Sequence, residues 1–269
     1  MTKPVRELMH PGLITCTMDT PIGQAAMLLM RHRVHALAVT DRDGRPVGLL
    51  SDFDLLAGEW LSADRESLEA MRRMTAGELM STPLNTIDAG STASEAAQRM
   101  RREGFHRLIV TEDGRPLGVI SVSDLVAYLA SQEPARRQTV SDVMSHAILV
   151  CREETPVREV ARTMTDSRYR SVLVLDGAGR PRGVVSGWDL LGCLDGKPAA
   201  DQTAAQVMHP ALTIRPEASL REAANRMIEH HYHRLVVVDP ERPEAVPLGI
   251  LSSYDIVNEM ARPGSVWQA

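Results

Sequence analysis

A glycine, a serine and an aspartate recur in this chain at one fixed spacing, Gly-x-x-Ser-x-x-Asp. The four copies are Gly48-Ser51-Asp54, Gly118-Ser121-Asp124, Gly183-Ser186-Asp189 and Gly249-Ser252-Asp255. A serine hydroxyl beside the exposed amides of a helix start makes an anion site, and a carboxylate one turn along can accept both hydroxyls of a ribose. Together these groups suit a ribose phosphate. Any one copy also reads as a helix cap, with Ser at the N-cap and the acid three residues on. A capping box prefers Glu or Gln there, whereas all four copies carry Asp. All four also keep the Gly, which permits close backbone approach by a ligand or by another strand. Between 15 and 19 residues before each serine stands a basic residue, His35, His106, Arg170 or His233, and Arg107 and Arg234 follow two of them. A single basic side chain at the edge of a buried strand is ordinarily solvated or ion-paired, but four at one position point to a shared anionic target. Arg suits bidentate phosphate binding, and His adds charge beside a phosphate.

The elements that must hold these residues repeat with them. A Met precedes a short strand at Met9, Met80, Met144 and Met208, with offsets of 71, 64 and 64 residues. Next come short apolar segments (Leu13 to Thr15, Leu84 to Thr86, Ile148 to Val150, Ala211 to Thr213) that read as strands. Apolar residues at i, i+3, i+4 and i+7 follow, such as Ile22, Ala25, Ala26 and Leu29, or Val157, Val160, Ala161 and Met164. That spacing makes one helical face, and its paired alanines allow close approach to a sheet. Unbroken apolar runs (Leu37 to Val39, Leu108 to Val110, Val172 to Leu175, Leu235 to Val238) suit strands buried on both sides. Gly-Arg-Pro turns at Gly44, Gly114 and Gly179, and a Pro-rich loop from Asp239 to Pro247, lead to a last strand, the Gly-x-x-Ser-x-x-Asp site and a second helix. Each unit is therefore β-α-β-β-α in about 60 residues, too small to be comfortably stable alone, so the units should pair. The expected repeats span about 4–60, 74–131, 138–196 and 202–262, as a first pair in 1–133 and a second in 134–269. The charged stretch Ala63 to Arg73 reads as a surface helix or linker, and Gln132 to Gln138 as the boundary between pairs.

Composition narrows the function. The chain has 269 residues, 43% hydrophobic and 24% charged, and a net charge of −5 that removes the positive field non-specific nucleic-acid binding needs. Any anion site must be local. No apolar run reaches the roughly 18 residues of a membrane span and no signal peptide opens the chain, so a cytoplasmic protein is expected. Cys16, Cys151 and Cys193 are widely separated and indicate neither a disulfide framework nor structural zinc. His230, His231 and His233 lack a carboxylate or Cys partner in sequence, so no metal site is assigned. There is no Gly-rich loop with Lys, no Gly-x-Ser-x-Gly and no His-Glu-x-x-His, so no hydrolytic or acyl-transfer machinery is visible and the protein is read as non-catalytic. Phe105, Tyr169 and Tyr232, just before the basic position, read as core.

Phe105-His106-Arg107-Leu108 with Gly118 to Asp124, and Tyr232-His233-Arg234-Leu235 with Gly249 to Asp255, resemble cystathionine beta-synthase (CBS) domains. The whole chain resembles a four-CBS protein, laid out like the gamma subunit of AMP-activated protein kinase and stand-alone prokaryotic four-CBS proteins. That resemblance implies an α/β (α+β) fold in which two CBS repeats pair into a Bateman module, two modules form a disk, and adenosine ligands sit between repeats. Carried over, Asp54, Asp124, Asp189 and Asp255 hold ribose, and Ser51, Ser121, Ser186 and Ser252 help with phosphate. His35, His106, Arg107, Arg170, His233 and Arg234 neutralise phosphates, and Thr15, Thr86, Val150 and Thr213 border the base.

The implied ligand is an adenine nucleotide (AMP, ADP or ATP, with or without Mg2+), no cofactor being required. The implied role is energy sensing, reported to an effector protein or through a homodimer. In repeats one and three, Ala36 and Ser171 replace the Arg of His-Arg, so phosphates are expected mainly on repeats two and four. A module for S-adenosylmethionine or another adenosine compound, and a ligand-free scaffold, are the alternatives.

Overall fold

The computed structural model describes residues 3–60, 73–132, 138–191, 202–242 and 246–265, without the side chains of 57–60. Cys193 lies outside the described residues, as do most of the charged stretch 63–73, residues 133–137 of the expected boundary and 243–245 of the Pro-rich loop.

Each repeat builds the expected β-α-β-β-α unit. In repeat two these are the strand Thr86–Asp88, helix Ala93–Glu103, strands Arg107–Glu112 and Arg115–Ser121, and helix Val122–Ala130. The first strand of a repeat runs parallel to the second, and the second antiparallel to the third, in all four repeats. The helical faces are those the spacing predicts. Ile22, Ala25, Ala26 and Leu29 are buried in one helix, and Leu220, Ala223, Ala224 and Met227 in its counterpart in repeat four. Gly44, Gly114 and Gly179 take φ of +78°, +75° and +82°, the left-handed backbone these turns demand. Tyr169 is 40% exposed and so is not core, whereas Phe105 packs against the core as expected.

The segment carrying each periodic Met does not stay with the repeat it precedes. His10–Pro11, ahead of repeat one, pairs antiparallel with Gly118 and Val119 of repeat two. Ser81, ahead of repeat two, bridges Leu49 of repeat one. Ser145 bridges Ile250 of repeat four, and His209–Pro210 pairs with Gly183 and Val184 of repeat three. Each of these leaders is anchored by one fully buried side chain: Val5, Ala76, Val140 and Ala204. The motif glycines exist for this docking. A Cβ on Gly48 would stand 2.6 Å from the Met80 sulfur; on Gly183, 2.6 Å from that of Met208; and on Gly249, 2.8 Å from the Ser145 carbonyl oxygen. On Gly118 it would run into the His10 carbonyl. At Gly48, Gly183 and Gly249 the periodic Met and the periodic Gly are thus two halves of one contact, and at Gly118 the leader backbone takes the place of the Met.

The described residues form two compact units. Unit 1 holds Met1–Gly12, Asn85–Ile148 and Ala211–Ala269, hence repeats two and four; unit 2 holds Leu13–Leu84 and Leu149–Pro210, hence repeats one and three. Within unit 1 the helix Val122–Ala130 packs on Leu220–His230, and Ser253–Met260 packs on both Ala93–Glu103 and Val122–Ala130. Within unit 2 the helix Asp52–Trp60 packs on Val157–Ser167 and Gly187–Leu191. These helix-packed units cut across the halves 1–133 and 134–269.

Candidate functional site

The four Ser-Asp pairs sit where a last strand turns into a helix. Ser51, Ser121, Ser186 and Ser252 each donate a backbone N–H and a hydroxyl to Oδ2 of Asp54, Asp124, Asp189 and Asp255, at 2.6–2.7 Å. The amides of Asp54, Asp124 and Asp255 return a longer bond, 3.1–3.4 Å, to the serine hydroxyl. These three pairs are therefore reciprocal caps made with the shorter acid, and Ser186–Asp189 shares their two bonds to the carboxylate. The hydroxyl proton is committed to the carboxylate. The serine must give it up to donate to a phosphate.

The residue after the periodic Met also reaches this carboxylate. His10 Nδ1 lies 3.0 Å from Asp124 Oδ1, His209 Nδ1 3.1 Å from Asp189 Oδ2, and the Ser81 hydroxyl 3.5 Å from Asp54 Oδ1. The fourth counterpart, Ser145, bonds the Ala147 carbonyl instead. Thr15, Thr86, Val150 and Thr213 lie on the opposite edge of the same sheets. The register aligns Thr15 with Ala38, Leu49 and Ser81, and Thr86 with Ile109, Val119 and His10. It likewise aligns Val150 with Leu173, Val184 and His209, and Thr213 with Val236, Ile250 and Ser145. Three strand spacings, roughly 14 Å, separate the two ends of each row. A cavity of about 240 Å³ opens beside Val150, lined by Cys151, Thr155, Glu159 and Val172 among others. Burial pushes the Cys151 thiol up to about 11, so it is a protonated wall of that cavity.

The basic residues are drawn to the helix starts by the antiparallel ladder. The amides of Asp52, Val122 and Ser253, each one residue past a motif serine, donate to the carbonyls of His35, His106 and His233 at 2.9–3.1 Å; that of Gly187 donates to Arg170 at 3.4 Å. Arg107 stands opposite Ser121, and Arg234 opposite Ser252. Inside each unit the basic side chains then cross to the other repeat. In unit 1 the His106 ring stacks on Tyr254, 4.5 Å between centroids, and His233 Nδ1 lies 3.4 Å from the Ser123 hydroxyl. In unit 2 His35 lies 4.8 Å from the Trp188 ring, and the Arg170 guanidinium sits 4.9 Å over Phe53. In these four contacts the residue met is the one two past the motif serine.

Sequence reasoning placed the basic residues at one structural position but missed these partners. The available signal was that three of the four residues at that place, Phe53, Trp188 and Tyr254, are aromatic. It also missed Asp52, whose Oδ2 is 2.9 Å from His35 Nδ1 and whose Oδ1 is 4.0 Å from an Arg170 nitrogen. His230 closes the helix Leu220–His230 and His231 is its left-handed C-cap, with φ of 56°. Among the described residues no group of three His, Cys, Asp or Glu could hold a metal ion, and no helix is long and apolar enough to cross a membrane.

Comparison with known proteins places this geometry. The family model described as CBS domain matches residues 5–59, 76–131, 140–196 and 204–262. MJ1404 of Methanocaldococcus jannaschii is 26% identical over 278 residues, covering 97% of this chain; the chain spans 62% of that protein's length. MJ1225 of the same organism is 21% identical over 202 residues, 71% of this chain and 70% of that protein. The crystal structure of MJ1225, proposed as an archaeal homologue of g-AMPK, superposes with a TM-score of 0.83 at 18% identity, covering 95% of this chain and 99% of that one. At that identity the superposition speaks for the fold.

Proposed function

The chain belongs to the CBS-domain family, its repeat matched four times over, and on that premise we propose that it is a non-catalytic regulatory module for adenine nucleotides. AMP, ADP or ATP binds, and occupancy is passed to an effector protein or to self-association in the cytoplasm. The observation that carries this reading is the basic cluster of unit 1. Repeats two and four each bring a His-Arg pair to the start of a helix, and His106 and His233 each reach across to the other repeat. Helix N-termini carry partial positive charge, and two guanidiniums beside them suit a phosphate better than any neutral group. Asp54, Asp124, Asp189 and Asp255 take the ribose diol, which then competes with the His10, His209 and Ser81 contacts at three of those carboxylates.

Leader exchange supports pairing of consecutive repeats into modules 1–133 and 134–269, because each leader docks on the neighbouring repeat of that half. A ligand that binds one arrangement of the repeats better than another shifts the equilibrium by that difference in affinity, which is how occupancy becomes a signal.

The test is calorimetric titration of the full chain with AMP, ADP and ATP, with and without Mg2+, alongside S-adenosylmethionine and adenosine. A thermal melt should accompany it, since ligand at 100 times its Kd adds about 2.7 kcal/mol per site. Nucleotide binding lost in Arg107→Ala with Arg234→Ala supports the reading. A second reading rests on the caps: all four Ser-Asp pairs already satisfy one another, as a scaffold requires. Asp54→Ala that lowers Tm, in a chain whose melt no adenosine compound raises, decides for the scaffold.

A further inference from the structure

The residue immediately after the motif serine differs in every repeat: Asp52, Val122, Gly187 and Ser253. Only repeat one puts an acid there. The Asp52 side chain is 12% exposed, and its Oδ1 accepts the Phe53 amide at 2.9 Å, which fixes the carboxylate at the start of its helix. From there it meets the residue at the recurring basic position of each repeat in unit 2, His35 at 2.9 Å and Arg170 at 4.0 Å. Across from it stands Gly187, where an added Cβ would lie 3.9 Å from Asp52 Oδ2 and 2.8 Å from a Leu56 methyl. A side chain at 187 would crowd this corner, and the glycine leaves it to the carboxylate. The helix start, His35 and Arg170 are the groups that would receive a phosphate, and an anion is already among them.

We propose that Asp52 is an internal surrogate for phosphate, so that unit 2 selects nucleosides without a 5′-phosphate while phosphorylated nucleotides go to unit 1. The inference rests on the adenosine-binding reading above and adds the ligand class of each unit. A 5′-phosphate entering between His35 and Arg170 must either displace Asp52 or sit beside it as a like charge in a partly dry site, where Coulomb repulsion is only weakly screened. A nucleoside ending in a neutral hydroxyl meets no such penalty, and Asp52 can accept its hydrogen bond. In unit 1 the corresponding Val122 and Ser253 bring no charge.

The experiment uses the full chain carrying Arg107→Ala and Arg234→Ala, which removes the two guanidiniums from the phosphate cluster of unit 1, titrated calorimetrically with adenosine and with AMP. With Asp52 present, adenosine should bind at least about tenfold more tightly than AMP, the ratio that 1.4 kcal/mol of repulsion gives. Adding Asp52→Asn should raise AMP affinity about tenfold and leave adenosine within about twofold. The reciprocal change, Ser253→Asp in the otherwise natural chain, should cost unit 1 about tenfold in AMP affinity and spare adenosine, and it decides the matter if Asp52→Asn does not fold. Adenosine that binds no tighter than AMP, or AMP affinity indifferent to either substitution, overturns the assignment of Asp52. No heat from either ligand with the natural chain overturns the adenosine-binding reading itself, and the inference with it.

Discussion

Units 1 and 2 are built from the same repeat and differ in what they do with it. Unit 1 joins the cores of repeats two and four into one cluster that runs from Val5 through Leu125 to Met260. Among the described residues of unit 2 the core divides in two, and the halves exchange one leucine each: Leu191 packs with repeat one and Leu56 with repeat three. Unit 1 brings two His-Arg pairs to its helix starts, whereas unit 2 brings one His and one Arg and sets Asp52 between them. Unit 1 caps the first helices of its repeats with Thr92 and Ser219, while Pro21 and Pro156 hold that place in unit 2 without a side-chain cap. The lesson is that specialisation follows the alternating units. The residue two past the motif serine meets a basic side chain of the other repeat of its own unit in all four repeats, and in unit 2 Asp52, one past it, does so as well.

The largest effect that would break this comparison lies in the core. Leu125→Ala removes a fully buried side chain from the unit 1 cluster and should cost about 3–4 kcal/mol. Native-state hydrogen exchange should show repeats two and four losing protection together. Leu56→Ala should loosen repeat three more than repeat one. Equal loss over both units in either variant would mean that the units do not open separately. Next in size is leader docking, which both units share. Gly118→Ala and Gly183→Ala each place a methyl against a leader backbone and should cost about 2–3 kcal/mol by denaturant unfolding. A neutral result at either would remove close approach as the reason for the glycine.

Much of this was legible in the sequence because repetition turned weak signals into strong ones. One Ala-Ala helix face or one Gly-Arg-Pro turn proves little, but three of each beside four Gly-x-x-Ser-x-x-Asp motifs at near-constant period point to the order β-α-β-β-α, and the buried faces are those the spacing named. The motif residues also meet as their spacing implied, Ser51 with Asp54 and Ser252 with Asp255. What stayed hidden is non-local. Nothing in a linear period says that His10 lies against Asp124, 114 residues on, or that repeat one packs helices with repeat three. Asp52 was hidden for another reason. It is the one acid at a position where the other repeats hold Val, Gly and Ser, and a search for what recurs passes over what differs.

Two smaller effects sharpen the contrast between the units. Arg107→Ala should weaken AMP binding about tenfold or more, since a charge-assisted phosphate contact is worth about 1.5–3 kcal/mol, and Arg170→Ala should weaken it far less because Asp52 already holds that guanidinium. Equal losses in the two titrations would erase the electrostatic difference between the units.

The smallest effect is the cap. Thr92 accepts the Glu95 amide at 3.2 Å, while its own amide and hydroxyl donate to the Glu95 carboxylate at 2.6 and 2.8 Å, which holds that carboxyl below its usual range. Thr92→Ala should cost about 1 kcal/mol at neutral pH. Because the folded state lowers the Glu95 pKa, the carboxylate's share of the cap is complete above the unfolded value of about 4.5 and is lost as pH falls through the folded one. The gap in stability between the natural chain and Thr92→Ala should therefore narrow on acidification, leaving only the bond from the Glu95 amide to the Thr92 hydroxyl. Pro21 and Pro156 carry no such box, so Pro21→Ala should show no corresponding narrowing, and denaturant midpoints taken at pH 7 and pH 3.5 for the two variants compare the units directly.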